Sequence, residues 1–211
     1  MKFIVVEGPI GVGKTTLTRK LANTFGYDLL LEGASENPFL ERFYSNPKQW
    51  AMQTQLYFLL QRSEQLNELR QNDLFQPVRV ADFLIHKDRL FASLTLDNDE
   101  FSLYEKVYQH VISDIPKPDL VIYLQAPVDI LQQRITRRGI PCEQEITDEY
   151  LNRLSEAYID FFLRYNESPL LMVNTAHINL AESTRDYENL VEYIQSIRSG
   201  RHYFNPATNL P

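Results

Sequence analysis

Two rhythms of apolar and polar positions alternate along the chain. Five short, nearly continuous apolar runs occupy positions 3–7, 29–32, 78–82, 120–124 and 170–174. Between them, apolar residues recur every three to four positions, at 15–25, 47–71, 102–115, 128–138, 148–166 and 180–198. Short continuous runs suit strands buried on both faces, and the helical stretches between them supply the cover. The pattern predicts an α/β fold with a five-stranded parallel sheet flanked by helices in three layers. Asn37 followed by Pro38 predicts the start of a further short helix, with Asn as cap and Pro in the first turn. Pro116 and Pro118 stop the 102–115 helix, and Gly139 stops the 128–138 helix. Without repeats or a long linker, residues 1–211 are expected to form one domain, with about 201–211 as a loose or docked tail.

Charge and composition narrow the function. A net charge of −7 argues against a nucleic-acid polymer as partner, which requires a broad basic footprint. No apolar run approaches the roughly 18–20 residues of a membrane span. The first apolar run has only a strand's length and meets Gly8 at once, unlike a signal peptide. Cys142 is the single cysteine, so no internal disulfide forms, which suits a reducing compartment such as the cytoplasm. The four histidines show no metal-ligand spacing.

The strongest local signal directly follows the first strand. Gly8, Pro9, Ile10, Gly11, Val12, Gly13, Lys14 and Thr15 match the phosphate-binding loop pattern G-x-x-x-x-G-K-[ST]. Glycines let backbone N–H groups turn inward toward phosphate oxygens, and the helix that follows, through Thr16, adds its positive end. Lys14 is expected to reach the ATP phosphates and the Thr15 hydroxyl to ligate Mg²⁺. Switch GTPases usually carry Asp-x-x-Gly and Asn-Lys-x-Asp, and neither occurs in this chain. A small-molecule kinase needs a base for the acceptor hydroxyl, an acid for the metal and arginines for the transferring phosphoryl.

Candidates for all three follow the predicted strands, at the sheet edge where open α/β folds bind ligands. Glu32 closes the second strand and can accept a hydroxyl proton, although a solvated loop acid has the same local sequence. Asp82 closes the third and suits Mg²⁺, or else a helix cap. Arg134, Arg137 and Arg138 suit phosphate clamping, although basic residues also complement a helix C-terminus. In the 47–71 helix, Gln55 and Arg62 lie two turns apart on one face with Phe58 between. A Gln amide can pair with a base edge and a Phe can stack on its ring, but a polar-rimmed amphipathic helix looks the same.

Gly8–Thr15, Glu32, Asn37-Pro38-Phe39-Leu40, Phe43-Tyr44, Gln55, Arg62, Asp82, Asp88 and the arginine-rich segment ending at Glu143 together resemble the deoxynucleoside kinase family, most closely its bacterial deoxyadenosine and deoxyguanosine kinases. The resemblance runs to about Asn174. It implies a P-loop kinase fold with an arginine-bearing lid at about 134–147. The implied reaction is ATP- and Mg²⁺-dependent phosphorylation of a deoxynucleoside 5′-hydroxyl, for a purine or for deoxycytidine. Glu32 is then the base, and Tyr44 and Glu143 hold the sugar 3′-hydroxyl. Gln55, Arg62 and Asp88 read the nucleobase, with Phe58 or Phe91 against its ring, while Arg134 and Arg138 belong to the lid. A homodimer built through helices and feedback inhibition by deoxynucleoside triphosphates are also implied. Two positions depart from the family pattern: its usual Asp/Glu-Arg-Ser run reads Asp82-Phe83-Leu84, and a further lid arginine is replaced by Ile140. Arg62, Arg137 and Lys87 are the cations available to take their place. A nucleoside monophosphate kinase and a nucleotide-binding regulator without catalysis are the alternatives.

Overall fold

A computed structural model describes residues 1–71, 78–112 and 115–205. Its centre is a sheet of parallel strands in the order β2-β3-β1-β4-β5-β6. These are β1 (Phe3–Glu7), β2 (Asp28–Leu30), β3 (Arg79–Ala81), β4 (Leu120–Gln125), β5 (Leu170–Asn174) and β6 (Arg201–Phe204). Helices α1 (Lys14–Phe25), α2 (Leu40–Ser45), α3 (Pro47–Gln71), α4 (His86–Thr95), α5 (Asn98–Val111), α6 (Val128–Arg138), α7 (Asp148–Arg164) and α8 (Thr184–Ser196) connect them.

Strand alternation divides the core. Ile4 and Val6 of β1, Leu120, Ile122 and Leu124 of β4, and Leu171 and Val173 of β5 pack beneath α1, α6 and α8. The intervening Val5, Val121, Tyr123, Leu170 and Met172 face α4 and α7. That period of two is why these strands read as continuous apolar runs. Tyr123 and Phe162 stack with ring centroids 4.1 Å apart at the centre of the second face. Fully burying such a side chain stabilises the fold by about 1.5–3 kcal/mol. A third cluster joins α3, α4 and α5 around Leu59, Phe83, Tyr104 and Tyr108.

Among the described residues the sheet has six strands where the apolar pattern predicts five. Residues 201–204 of the expected tail pair with β5, Leu170 opposite Arg201 through Val173 opposite Phe204. An edge strand covered on one face does not read as an apolar run: Arg201 and Tyr203 are exposed, while His202 and Phe204 pack on Tyr193. The remainder of that expectation, 206–211, lies outside the described residues.

Several helix boundaries also differ: α7 ends at Arg164 rather than 166, and α8 spans Thr184–Ser196 rather than 180–198, because the Ser183 side chain caps it by accepting from the Asp186 N–H. α5 begins at Asn98, four residues before the predicted start, because Asp97 and Glu100 form a reciprocal capping box. It ends at Val111, while the predicted end at 115 follows two residues, 113 and 114, outside the described set. α4 was not predicted; its ten residues carry only four buried positions, too few for a clear period. Asn37 caps a turn before α2: its side-chain oxygen accepts from the Phe39 N–H at 3.0 Å, and the helix starts at Leu40.

The chain leaves β1 toward β2 and β3 on one side, then crosses to β4 and β5 on the other. The crevice at that reversal opens at the carboxyl ends of the strands. The loop between β1 and α1 fills it, with Gly8, Gly11 and Gly13 at φ of 150°, 83° and 102°. A Cβ on Gly8 would sit 2.5 Å from the Leu124 carbonyl oxygen, a backbone atom that cannot swing away. Gly8→Ala is expected to lower stability by about 2 kcal/mol, or roughly 4–8 °C in Tm. A thermal melt within one degree of the parent would show that the loop relaxes instead.

Candidate active site

Several elements bring distant residues to this crevice. Glu7, at the end of β1, is fully buried, and its carboxylate accepts from Gly8 N–H at 2.9 Å, Leu84 N–H at 2.7 Å and the Tyr158 hydroxyl at 2.9 Å. It thereby fastens the phosphate loop to the segment between β3 and α4. Burial first, and then this carboxylate, push the Tyr158 phenol well above its ordinary value, so it remains a donor.

Lys14 opens α1 and folds back, donating to the carbonyl oxygens of Gly8 at 2.8 Å and Pro9 at 3.2 Å. Its pKa is lowered, chiefly by burial and then by the positive charge of Lys87. Thr15 donates its hydroxyl to Asp82 Oδ2 at 2.5 Å, and the other Asp82 oxygen accepts from the Glu32 N–H at 2.6 Å. Asp82 directly follows β3. Glu32 lies two residues beyond β2, not within it as the apolar pattern suggests, and α3 steadies its loop: Gln65 donates to the Leu31 carbonyl at 3.1 Å and Gln61 to Glu36 at 2.7 Å.

Both oxygens of Glu32 are engaged by cations. Arg62 Nη2 donates to Oε1, and Lys87 Nζ donates to Oε2 at 2.6 Å. Burial favours the neutral carboxyl, but Arg62 and Lys87 together outweigh it and hold Glu32 ionised, well below the usual carboxylate range. Arg62 also donates through Nη1 to Asp88 Oδ1, so one guanidinium bridges two acids. Its Cζ lies 4.6 Å from the Phe58 ring centre and 5.8 Å from that of Phe83. Phe83 stands where the family places an arginine, and it is buried beneath Arg62 rather than aimed at a phosphate.

Lys14, Thr15, Glu32, Tyr44, Gln55, Phe58, Arg62, Asp82, Asp88, Phe91, Arg138 and Glu143 line one cavity of about 150 Å³, together with Lys87 and Tyr150. Gln55 is held by a 3.3 Å hydrogen bond to Thr95, and Phe91 packs edge-on against Tyr158. Among the described residues, Asp88 Oδ2 and Arg62 Nε have no hydrogen-bond partner although both are buried. Burial, followed by the nearby Tyr150, raises the Tyr44 phenol well above its ordinary value, which keeps it a donor near Glu143. Arg138 is ion-paired with Glu143 at the mouth.

A second cavity of about 770 Å³ adjoins the first and shares Gly11, Lys14, Thr15 and Arg138 with it. Val12, Gly13, Thr16, Arg134 and Arg137 line only this one. Arg134 is tied to protein oxygens, donating to Thr175 O at 2.8 Å, Thr175 Oγ1 at 3.0 Å and Val12 O at 3.3 Å. Ile10 lines the first cavity and Pro9 a separate one of about 220 Å³ beside Tyr123, while Gly8 lines neither the first cavity nor the second. The segment expected as a lid comprises the end of α6 and a 3-10 turn at Pro141–Glu145; Ile140 there is exposed.

Sequence reasoning missed Glu7, and it named Lys87 only as a spare cation. A lone acid closing an apolar strand just before the phosphate loop was the available signal for Glu7. Nothing local distinguishes Lys87 from an ordinary residue in the first turn of a helix.

The arrangement can hold an anion chain over the phosphate loop and a neutral, hydrogen-bonding ligand on the far side of Lys14. Thr15 and Asp82 offer hard oxygen donors beside the loop. Mg²⁺ suits such a pair, since it keeps several waters and phosphate oxygens as its other ligands. No helix among the described residues is long and apolar enough to cross a membrane.

Comparisons with known proteins agree with this geometry. A "Deoxyguanosine kinase" of Bacillus subtilis (strain 168) is 34% identical over 201 residues, covering 92% of this chain and 97% of that one. A "Deoxyadenosine kinase" of Lactobacillus acidophilus is 34% identical over 188 residues, covering 82% and 86%. Among solved structures, a deoxyadenosine kinase from M. mycoides with bound dCTP superposes with a TM-score of 0.78 at 25% identity, over 92% of this chain and 100% of that one. The sequence profile described as "Deoxynucleoside kinase" matches residues 4–198, and the chain belongs to that family.

Proposed function

We propose that this protein transfers the γ-phosphoryl group of ATP to the 5′-hydroxyl of a 2′-deoxynucleoside. The observation that carries the reading is the position of Glu32. Its carboxylate lines the acceptor-side cavity next to Lys14, where that cavity meets the donor-side one, and two cations keep it ionised. ATP occupies the larger cavity, with its phosphates on the N–H groups of the phosphate loop and on Lys14. Thr15 and Asp82 hold Mg²⁺, which neutralises phosphate charge when bound. The deoxynucleoside occupies the smaller cavity, with Tyr44 and Glu143 at the sugar and Gln55, Arg62 and Asp88 at the base. Phe58 and Phe91 pack beside the ring, and Arg138 closes over the phosphates. Arg134 braces the loop after β5 that borders the ATP cavity.

The unpartnered Asp88 oxygen asks for a hydrogen-bond donor on the base, which an exocyclic amino group supplies. Together with relatives named for deoxyguanosine and deoxyadenosine, this supports a purine acceptor; a relative named "Deoxyadenosine/deoxycytidine kinase", 29% identical, keeps deoxycytidine as a further one. We place the enzyme in the cytoplasm, working as one unit over 1–211 with a lid at about 134–147. A homodimer would use the exposed Leu60 of α3 and Leu103 of α5. The dCTP bound to the M. mycoides enzyme supports inhibition of this protein, too, by a deoxynucleoside triphosphate.

The test is a panel of nucleosides incubated with ATP and Mg²⁺ and scored by chromatography. Deoxyadenosine or deoxyguanosine is expected to yield the 5′-monophosphate fastest. No product from any deoxynucleoside, or faster use of nucleoside monophosphates as acceptors, would overturn the assignment.

A further inference from the structure

Phosphoryl transfer needs cations around the moving group, and this site is short of them in their usual places. The residue after Asp82 is Phe83, buried under Arg62; the position two beyond Arg138 is Ile140. Arg134 spends three donor contacts on Val12 and Thr175. Arg62 is fixed by Glu32, Asp88 and two aromatic faces.

Lys87 differs from all of these. Its side chain is only 4% exposed, yet it lines the same cavity as Lys14, Thr15 and Arg138. Among the described residues it makes one hydrogen bond, to Glu32 Oε2, while the nearest Glu7 oxygen is 3.9 Å away. A flexible ammonium held by one hydrogen bond can change partners, whereas a guanidinium that bridges two acids is fixed by its geometry. The ammonium on Oε2 also makes Glu32 a weaker base toward the proton of a bound alcohol.

Building on the kinase reading above, we infer that Lys87 is a catalytic residue that leaves Glu32 for the transferring phosphoryl group, supplying the cation that Phe83 does not. The exchange frees Oε2 as the 5′-hydroxyl arrives. The hydroxyl oxygen then forms its bond to the γ-phosphorus, and its proton passes to Glu32. The bond from that phosphorus to the bridging oxygen breaks, and ADP leaves with the electron pair. Lys14 and Lys87 flank the group in flight, and Lys87 returns to Glu32 once the products depart and the carboxylate has lost its proton to solvent.

Lys87→Met keeps the stem and removes the charge. It is expected to lower kcat by about 10²–10³-fold, the effect of losing one transition-state donor. Dissociation constants for ADP and for the deoxynucleoside, measured separately, should stay within about threefold. Affinity for ADP, aluminium fluoride and deoxynucleoside bound together should fall by the same factor as kcat. A near-normal kcat overturns the proposal. So does a fluoroaluminate complex of undiminished affinity, because Lys87 would then only prop Glu32. A crystal structure of the wild-type fluoroaluminate complex tests the point without a variant: Lys87 Nζ on a fluoride supports it, and Nζ still on Glu32 overturns it. A wild-type chain that phosphorylates no deoxynucleoside overturns both readings, whereas an active wild type with an unimpaired Lys87→Met variant overturns this one alone.

Discussion

Glu32→Gln lowers kcat by about 10²–10⁴-fold while leaving deoxynucleoside binding within a few-fold of the parent. The amide occupies the same volume and still offers Arg62 an oxygen, but it cannot accept the hydroxyl proton. Arg62 retains Asp88, and Lys87 retains the nearby Glu7, so neither buried cation is left without an acid. The fold should therefore persist, which a circular dichroism spectrum and a calorimetric nucleoside titration would establish before kinetics are compared. Turnover close to the parent rate would remove Glu32 from the role of base.

The same carboxylate sets an expectation for pH. Arg62 and Lys87 depress its folded pKa below the ordinary 4.5 despite burial. A depressed acid contributes stability that is present above its unfolded pKa and is lost only as pH falls through the folded one. Glu32 is thus ionised throughout the neutral and mildly acidic range. The profile of kcat/KM for the deoxynucleoside should show no acid limb from this group between about pH 5 and 8.

Arg62→Met should have the largest effect on stability. Arg62 is the only cation within ion-pair distance of Asp88 among the described residues, and it shares Glu32 with Lys87. Removing the guanidinium strands a buried Asp88, strips one of two partners from Glu32 and empties the space between Phe58 and Phe83. Breaking a buried ion pair from one side costs about 3–5 kcal/mol. For a chain of this length that is roughly 6–20 °C in Tm. Arg62→Lys should recover little, because an ammonium cannot donate along two fixed directions to two acids at once. The deficit should be full at neutral pH and shrink in strong acid, where protonation of Glu32 weakens its pairing with Arg62 in the parent as well. A melt within two degrees of the parent at pH 7 would show that Lys87 alone neutralises the cluster. The variant should also lose activity, since Glu32 would no longer be oriented from its Oε1 side.

Some of this site is legible in one dimension and some is not. The phosphate loop reads directly because its ligands are backbone groups of one contiguous segment, shaped by Gly8, Gly11 and Gly13. Gln55, Phe58 and Arg62 read as one face because a helix converts spacing into direction by a fixed period. Their task stays ambiguous at that level, since any amphipathic helix with a polar rim has the same spacing; the resemblance to a family assigned it. Glu143 and Tyr44 likewise came from the resemblance and not from any local signal. Lys87 and Glu32 lie 55 positions apart, and no periodicity relates them. Phe83 read as a defect in sequence because the arginine it replaces was expected at a phosphate. In the fold it is a packed ring under Arg62.

The sequence alone determined the parallel α/β plan, the phosphate loop and the set of acids from which the base had to come. Local periodicity and contiguous backbone geometry are enough for those. Only the tertiary structure decided that the tail adds a sixth strand, because an edge strand needs a single covered face and leaves no continuous apolar run. Only it decided that Arg62 and Lys87 converge on Glu32 and that Arg134 is tied to Thr175. Ion pairs across a crevice depend on how separate elements pack, and packing brings together residues that no local rule connects.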